Sequence, residues 1–408
     1  MKKKKSIALL FALYAVQVTL SNFIHPITPT LFKDLGFPDY MFGVAFAAMS
    51  FSNFLFCPIW GVVGDKIGHL KMFGITAFGY GLGQLFFGLA TTPAMTLLAR
   101  FFGGAFAGGF MVAIMAYLTN NSEPEKLASR MSYLAALTSV FTAIGYLLGG
   151  VIGERSVFWD FALQVGGITL VAILMPLLVA EELPETAPNA PKQSLNPLKA
   201  FVSMGKGMSA PLGLFLAAVF FANFATIDYD NAFNYYIKAE LGFPPSYNGI
   251  IKAAIGIIGL LINLTVNVWL ARKTDMRRSI VPVFGLCTAT LVAVCLVPGT
   301  APFIAANVIF YLFNVMYIPM QQTLVTSDTT TGKTSGELSG IFNAVKAVGM
   351  IGGSLFAGLI YTVGAKLPFW FGALSFGLAA VTSVFSFRAY QKKGLLKKEE
   401  TPSSAGKN

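Results

Sequence analysis

The chain has 408 residues, of which 55% are hydrophobic and only 12% charged, and its net charge is +11. So little charge cannot cover the surface of a soluble protein of this size, which excludes that class. The basic excess does not indicate a nucleic-acid partner either, because the lysines and arginines lie in short segments between apolar runs rather than on one polar module.

Twelve apolar runs follow one another at 6–32, 40–64, 72–92, 94–119, 131–153, 157–180, 211–237, 246–270, 279–297, 301–326, 338–363 and 367–389. Each is about long enough, as a helix, to cross the hydrocarbon of a bilayer. The predicted fold class is an all-α membrane protein of twelve transmembrane helices, arranged as two parallel-repeat six-helix bundles. The bundles are expected at 1–180 and 211–390, joined by a cytoplasmic linker at 181–210 and followed by a disordered tail at 391–408. The opening MKKKKSIALL reads as the start of the first span rather than a signal peptide, because eleven further apolar runs follow. Segments on the amino-terminal side of the spans hold 22 of the 29 Lys and Arg, against four on the opposite side. Both termini are therefore expected in the cytoplasm, in a bacterial cell membrane.

The repeat is written into the sequence. LGFP occurs at 35–38 and again at 241–244, with Gly43 matched by Gly249 at the same offset of 206. Both copies fall after the first span of a half, where glycine and proline end one helix and turn the chain into the next. Spans 5 and 11 echo each other as AIGYLLGG (143–150) and AVGMIGG (347–353). Two halves in the same orientation are a transporter architecture, with the substrate site between them.

Functional candidates follow from the cost of placing ionisable groups in hydrocarbon. On span 7, Asn223, Asp230 and Asn234 are seven and four residues apart and share a helical face, while Asp228 lies about 140° away. Asp230 is the first choice for a proton-carrying carboxylate, with Lys346 on span 11 as its expected partner. Arg100, His25 and Asp160 are expected in the outer half, where Arg100 could hold Asp160 ionised and His25 could relay protons. Lys252 is expected to meet an acid on span 7, with Asp228 suggested. Cavity-lining candidates are Gln17, Ser21, Asn223, Asp228, Asn234, Asn314, Gln321 and Asn343, each of which could instead be holding helices together.

Cys57, Cys287 and Cys295 all lie in apolar runs, and no nucleotide loop or metal-ligand spacing is present, so no cofactor or metal is expected. A membrane-embedded enzyme would need a cluster such as paired histidines, and the chain has two histidines in unrelated places.

GVVGDKIGHLK, Gly61 to Lys71, resembles the loop between helices 2 and 3 of the major facilitator superfamily, G-x-x-x-D-[RK]-x-G-[RK]-[RK]. Gly61, Asp65, Lys66, Gly68 and Lys71 fall on its positions, while His69 and Leu70 depart from it. Asp65 could cap a helix and pair with a neighbouring cation. Span 5 is similar to the drug antiporters' G-P-x-x-G-G at Gly145, Gly149 and Gly150, with Tyr146 in place of proline. LLARFFGG on span 4 is similar to the antiporters' helix 4 motif at Arg100 and Gly104. DYDNAFNYY on span 7 with Lys346 echoes the oligosaccharide–proton symporters. The resemblance implies a monomeric, proton-coupled transporter that works by alternating access and exports small amphipathic molecules. The alternative is a proton symporter that imports a nutrient.

Overall fold

The computed structural model describes residues 6–181, 208–326, 328 and 335–393. Most of the linker and tail expected at 181–210 and 391–408 lies outside them. In chain order the first half contains α1 (Ile7–Ser21), α2 (Thr28–Asp34), α3 (Met41–Ile67), α4 (His69–Gly88), α5 (Pro93–Ala107), α6 (Gly109–Asn120), α7 (Pro124–Arg155) and α8 (Val157–Leu178). The second contains α9 (Ala210–Ala239), α10 (Pro245–Ile262), a π-helical segment (Asn263–Asn267), α11 (Val268–Lys273), α12 (Met276–Leu296), α13 (Thr300–Thr326), α14 (Ser335–Tyr361) and α15 (Leu367–Lys392).

Ten of these stretches are long and apolar enough to cross a membrane, α5–α6 and α10–α11 each counting as one. The shorter apolar α1 and the 20-residue α4 complete the twelve expected spans. Leu98, Phe158, Trp159, Leu264 and Leu359 stand exposed on the outside of the bundle. Water would not tolerate so many bare apolar side chains, whereas lipid does.

Three spans depart from the simple expectation. The first is not one helix over 6–32: α1 stops at Ser21, and a turn over 22–27 precedes α2. Pro26 has no N–H for the helical ladder, and Pro29 fits only the first turn of a new helix. The fourth breaks at Gly108, and the eighth widens into π-helix at Asn263. Each LGFP corner ends a helix with its glycine in the left-handed region, Gly36 at φ +64° and Gly242 at φ +68°. A side chain there would be strained, which is why the repeat retains glycine.

The α3–α4 turn depends on Gly68 at φ +98°. The expected cap from Asp65 is not formed. Instead Glu181, arriving after α8, accepts hydrogen bonds from the backbone N–H groups of His69 (2.7 Å) and Leu70 (2.9 Å). A carboxylate at a helix N-terminus satisfies free donors and opposes the positive dipole end. Glu181→Ala should therefore lower the melting temperature of the purified protein, by about 2–4 °C for a loss of about 1 kcal/mol. An unchanged melting temperature would show that the cap contributes nothing.

Most contacts between the halves run along two seams, α3 with α14 and α7 with α10, with smaller ones where α9 meets α2 and α3. At the face bearing the LGFP corners, both seams close on small residues. Cβ atoms added at Gly43 would lie 2.6 Å and 2.7 Å from Gly358 N and Cα. The Ser354 hydroxyl donates to the Gly43 carbonyl at 2.8 Å. On the other seam, a Cβ at Gly150 would come within 2.7 Å of the Pro245 carbonyl and 3.1 Å of Gly249 Cα. Gly249 is the repeat mate of Gly43, and Ser354 lies one residue past the AVGMIGG echo of Gly150. One side of each seam is therefore a duplicated position, while the partners Gly358 and Gly150 differ by one helical turn from the α7–α14 echo.

Candidate functional site

Between the halves lies a partly open cavity lined by residues of both. Its ionisable lining consists of His25 from the α1–α2 turn, Arg100 from α5, Asp230 from α9 and Lys252 from α10, together with Tyr146 of α7. The break in the first span brings His25, Thr28 and Pro29 to this wall. Phe42 and Phe46 add apolar surface, and the rings of His25 and Tyr146 stack at 5.5 Å.

Asp230 is the centre of the polar network. It forms a salt bridge with Lys252 and accepts a hydrogen bond from the Tyr311 hydroxyl, and Lys252 also donates to Tyr311 at 2.7 Å. The Lys252 side chain is 7% exposed and that of Asp230 33%, the latter opening to the cavity. Close by, Asn234 donates to the His25 carbonyl at 3.2 Å and accepts from Asn248. Asn231, beside the acid in sequence, donates to Ser354 at 2.9 Å, so the acid's neighbour holds a seam residue.

The expected Asp230–Lys346 pair is not formed. Gly349 and Gly353 of α14 pack on Phe220 and Phe224 of α9, in parallel register. Lys346 therefore lies 7–13 residues below the level of Asp230, on the order of 10–20 Å along the helix axis. Nor does Lys252 meet Asp228. That residue is fully buried on the far side of α9, its carboxylate toward Gly372 of α15 and outside the cavity. Arg100 does not pair with Asp160, whose carboxylate oxygens have no hydrogen-bond partner among the described residues.

Most of the remaining cavity candidates tie helices together. Asn223 donates to Gln321 at 3.2 Å, and Thr226 donates to Asn314 at 3.0 Å, fastening α9 to α13. Gln17 donates to Ser21 within the buried core of the first half, and the Ser21 carbonyl accepts from Tyr80. Asn343 is exposed and does not line the cavity. In the gate-loop motif Lys66 and Lys71 are exposed, and Asp65 stands 4.0 Å from the His69 ring. In the span 5 motif, Gly145 and Gly149 let α7 pack against the backbone of Thr19 and Phe23.

Tyr311 and Tyr146 were not anticipated. A signal for Tyr311 exists: Asn307, Tyr311, Asn314 and Gln321 recur at helical spacing on α13, all toward α9 or its network.

At the LGFP face a second bridge crosses the halves, where Tyr235 of α9 donates to Asp39 at 2.6 Å and Lys33 pairs with Asp39 at 2.8 Å. Burial pushes the Asp39 carboxyl up, but the hydrogen bonds from Lys33 and Tyr235 and the charge of Lys33 outweigh it, holding it below the usual 3.8. A lowered carboxyl pKa contributes stability above the usual value and loses it as pH falls through the lower one. The clasp should thus persist down to pH 4 and fail only below it. Asp39→Asn should weaken it at neutral pH by about 1 kcal/mol, roughly a fivefold shift toward molecules open at this face. Spin-label distances between the two LGFP corners would read that shift, and unchanged distances would count against the clasp.

The Major Facilitator Superfamily model matches residues 9–351. The chain belongs to this family. It is a membrane transporter, not an enzyme. Among curated proteins it is 23% identical over 357 residues to Multidrug resistance protein 2 of Bacillus subtilis, covering 85% of this chain and 86% of that protein. It is 21% identical over 370 residues to Quinolone resistance protein NorA of Staphylococcus aureus, covering 90% and 92%. Among solved structures, the nucleoside transporter NupG matches with TM-score 0.74 at 13% identity, covering 94% of this chain and 98% of that one. A bacterial homolog of the human lysosomal transporter Spinster, inward-facing and unoccupied, matches with TM-score 0.75 at 14% identity, covering 94% and 96%. At such identities these structures speak for the fold alone.

Proposed function

We propose that the protein is a proton-coupled secondary transporter that moves small amphipathic organic molecules by alternating access, in the export direction. The observation that carries this reading is the Asp230–Lys252–Tyr311 network in the cavity between the halves. A carboxylate held by one ammonium at membrane depth can release that partner when protonated, which links proton binding to rearrangement of α9 against α10. Asp230 carries the proton, Lys252 is its counter-ion, and Arg100 and His25 shape the potential around it. The two six-helix halves, 1–180 and 211–390, are the bodies that rock about the seams, in a monomer with both termini in the cytoplasm of a bacterial cell. The names of the resistance-protein relatives favour export.

A second reading, proton-linked uptake, is favoured by the excess of cations in the cavity, which attracts an anion more strongly once Asp230 is protonated. Inverted membrane vesicles energised with a proton gradient separate the two. Accumulation inside them means export from the cell, exclusion means uptake, and absence of gradient-dependent flux for every compound tried would end both readings.

A further inference from the structure

Arg100 is the unexplained group of the cavity. It is 6% exposed, yet none of its partners is an anion. One terminal nitrogen donates to Thr28 at 3.3 Å and the other to the sulfur of Met49 at 3.8 Å, while the guanidinium lies 3.7 Å from the centre of the Phe87 ring. Among the described residues its Nε–H has no acceptor. A buried guanidinium is costly without a carboxylate or phosphate in its fork, and sulfur, hydroxyl and ring contacts are weak substitutes. Among the described residues, the cavity's one carboxylate is Asp230, which is already engaged by Lys252 and Tyr311. The charge of Lys252 is thus answered within the protein, and that of Arg100 is not.

We infer that the transported molecule is an organic monoanion, a carboxylate attached to a flat apolar body, whose carboxylate completes the Arg100 fork. The inference rests on the transporter reading and concerns the substrate's charge. The flat body is accommodated by the stacked His25 and Tyr146 rings and by Phe42, with Asn234 at hand for a polar substituent. A cationic molecule would meet the ammonium of Lys252 and the guanidinium of Arg100 with no free carboxylate to receive it. Protonation of Asp230 makes the cavity more positive, so proton and anion strengthen each other's binding, the sign that belongs to the uptake reading rather than to export.

The test uses the full-length purified protein and three matched compounds, 1-naphthoate, 1-naphthamide and 1-naphthylmethylamine, with affinity read by tryptophan fluorescence and thermal shift. The naphthoate is expected to bind at least tenfold more tightly than the amide and the amine. Arg100→Gln should erase that preference, and Arg100→Lys should retain part of it, because an ammonium keeps the charge but loses the fork. The Lys variant keeps the test informative if the Gln variant does not fold. Tighter binding of the amine, equal binding of all three, or no binding of the naphthoate overturns the assignment. Gradient-driven flux of the amine in proteoliposomes would do so while leaving the transporter reading intact, whereas absence of flux for all three alongside naphthoate binding would instead strike the transporter reading.

Discussion

Asp230→Asn is expected to reduce gradient-driven transport in proteoliposomes to background, a loss of at least about a hundredfold, while substrate exchange across the same membrane persists. Asparagine is close to isosteric and still accepts a hydrogen bond from Tyr311, but it carries no charge and takes up no proton. Lys252 then stays buried without its counter-ion, and removing one partner of such a pair costs about 3–5 kcal/mol. The single variant should therefore also be thermally weaker. Adding Lys252→Gln removes the stranded charge and should restore much of that stability without restoring coupling. Stability and coupling are thus read separately in the double variant. Retention of gradient-driven flux in Asp230→Asn would remove the carboxylate from the mechanism, whatever the melting temperatures show.

Gly43→Val is expected to produce the second largest effect, and it acts on shape rather than charge. The Gly43 backbone lies against Gly358 and the Ser354 carbonyl so closely that even a methyl group would overlap main-chain atoms. Main chain cannot turn aside as a flexible side chain can, so the seam must part. Overpacking costs about 1–3 kcal/mol where side chains can yield, and here they cannot. The variant should shift the population by at least about tenfold toward molecules open at the LGFP face and abolish net transport. Spin labels on the two corners measure the opening, and an unshifted distance distribution would refute this account of the seam. Gly150→Val should do the same through the other seam.

How far the sequence was readable depends on the kind of information each feature needs. Twelve spans were legible because hydropathy is summed over some twenty residues and tolerates local detail. The broken first span was not, although Pro26 and Pro29 were visible in it, because the apolar run continues across the break. Helical periodicity places residues around one helix axis, which puts Asp228 on another face from Asp230 and should have kept it out of the cavity candidates. It does not say how far one helix slides along another. Lys346 failed as a partner for that reason, since the register of α14 on α9 is set by glycine contacts at 349 and 353. Asn223 shares the azimuth of Asp230 but sits seven residues deeper, where Gln321 meets it instead of the cavity. Glu181 shows the same limit at longer range, capping a helix that starts 112 residues earlier in the chain.

The two glycine seams have a consequence for symmetry. A six-helix unit with a bare backbone patch at the start of its second span and a small residue near the end of its fifth is complementary to a copy of itself turned by a half rotation. Two such units would make both seams at once, each patch meeting the other's partner, as in a symmetric dimer. In one chain the two halves need not be alike where likeness serves no contact. Position 354 took a hydroxyl where its mate Gly150 has none, and the buried acid and lysine settled in one half alone. The same glycine on the second span of each half, Gly43 and Gly249, thus closes both seams, while the Asp230–Lys252 pair stands in one half alone.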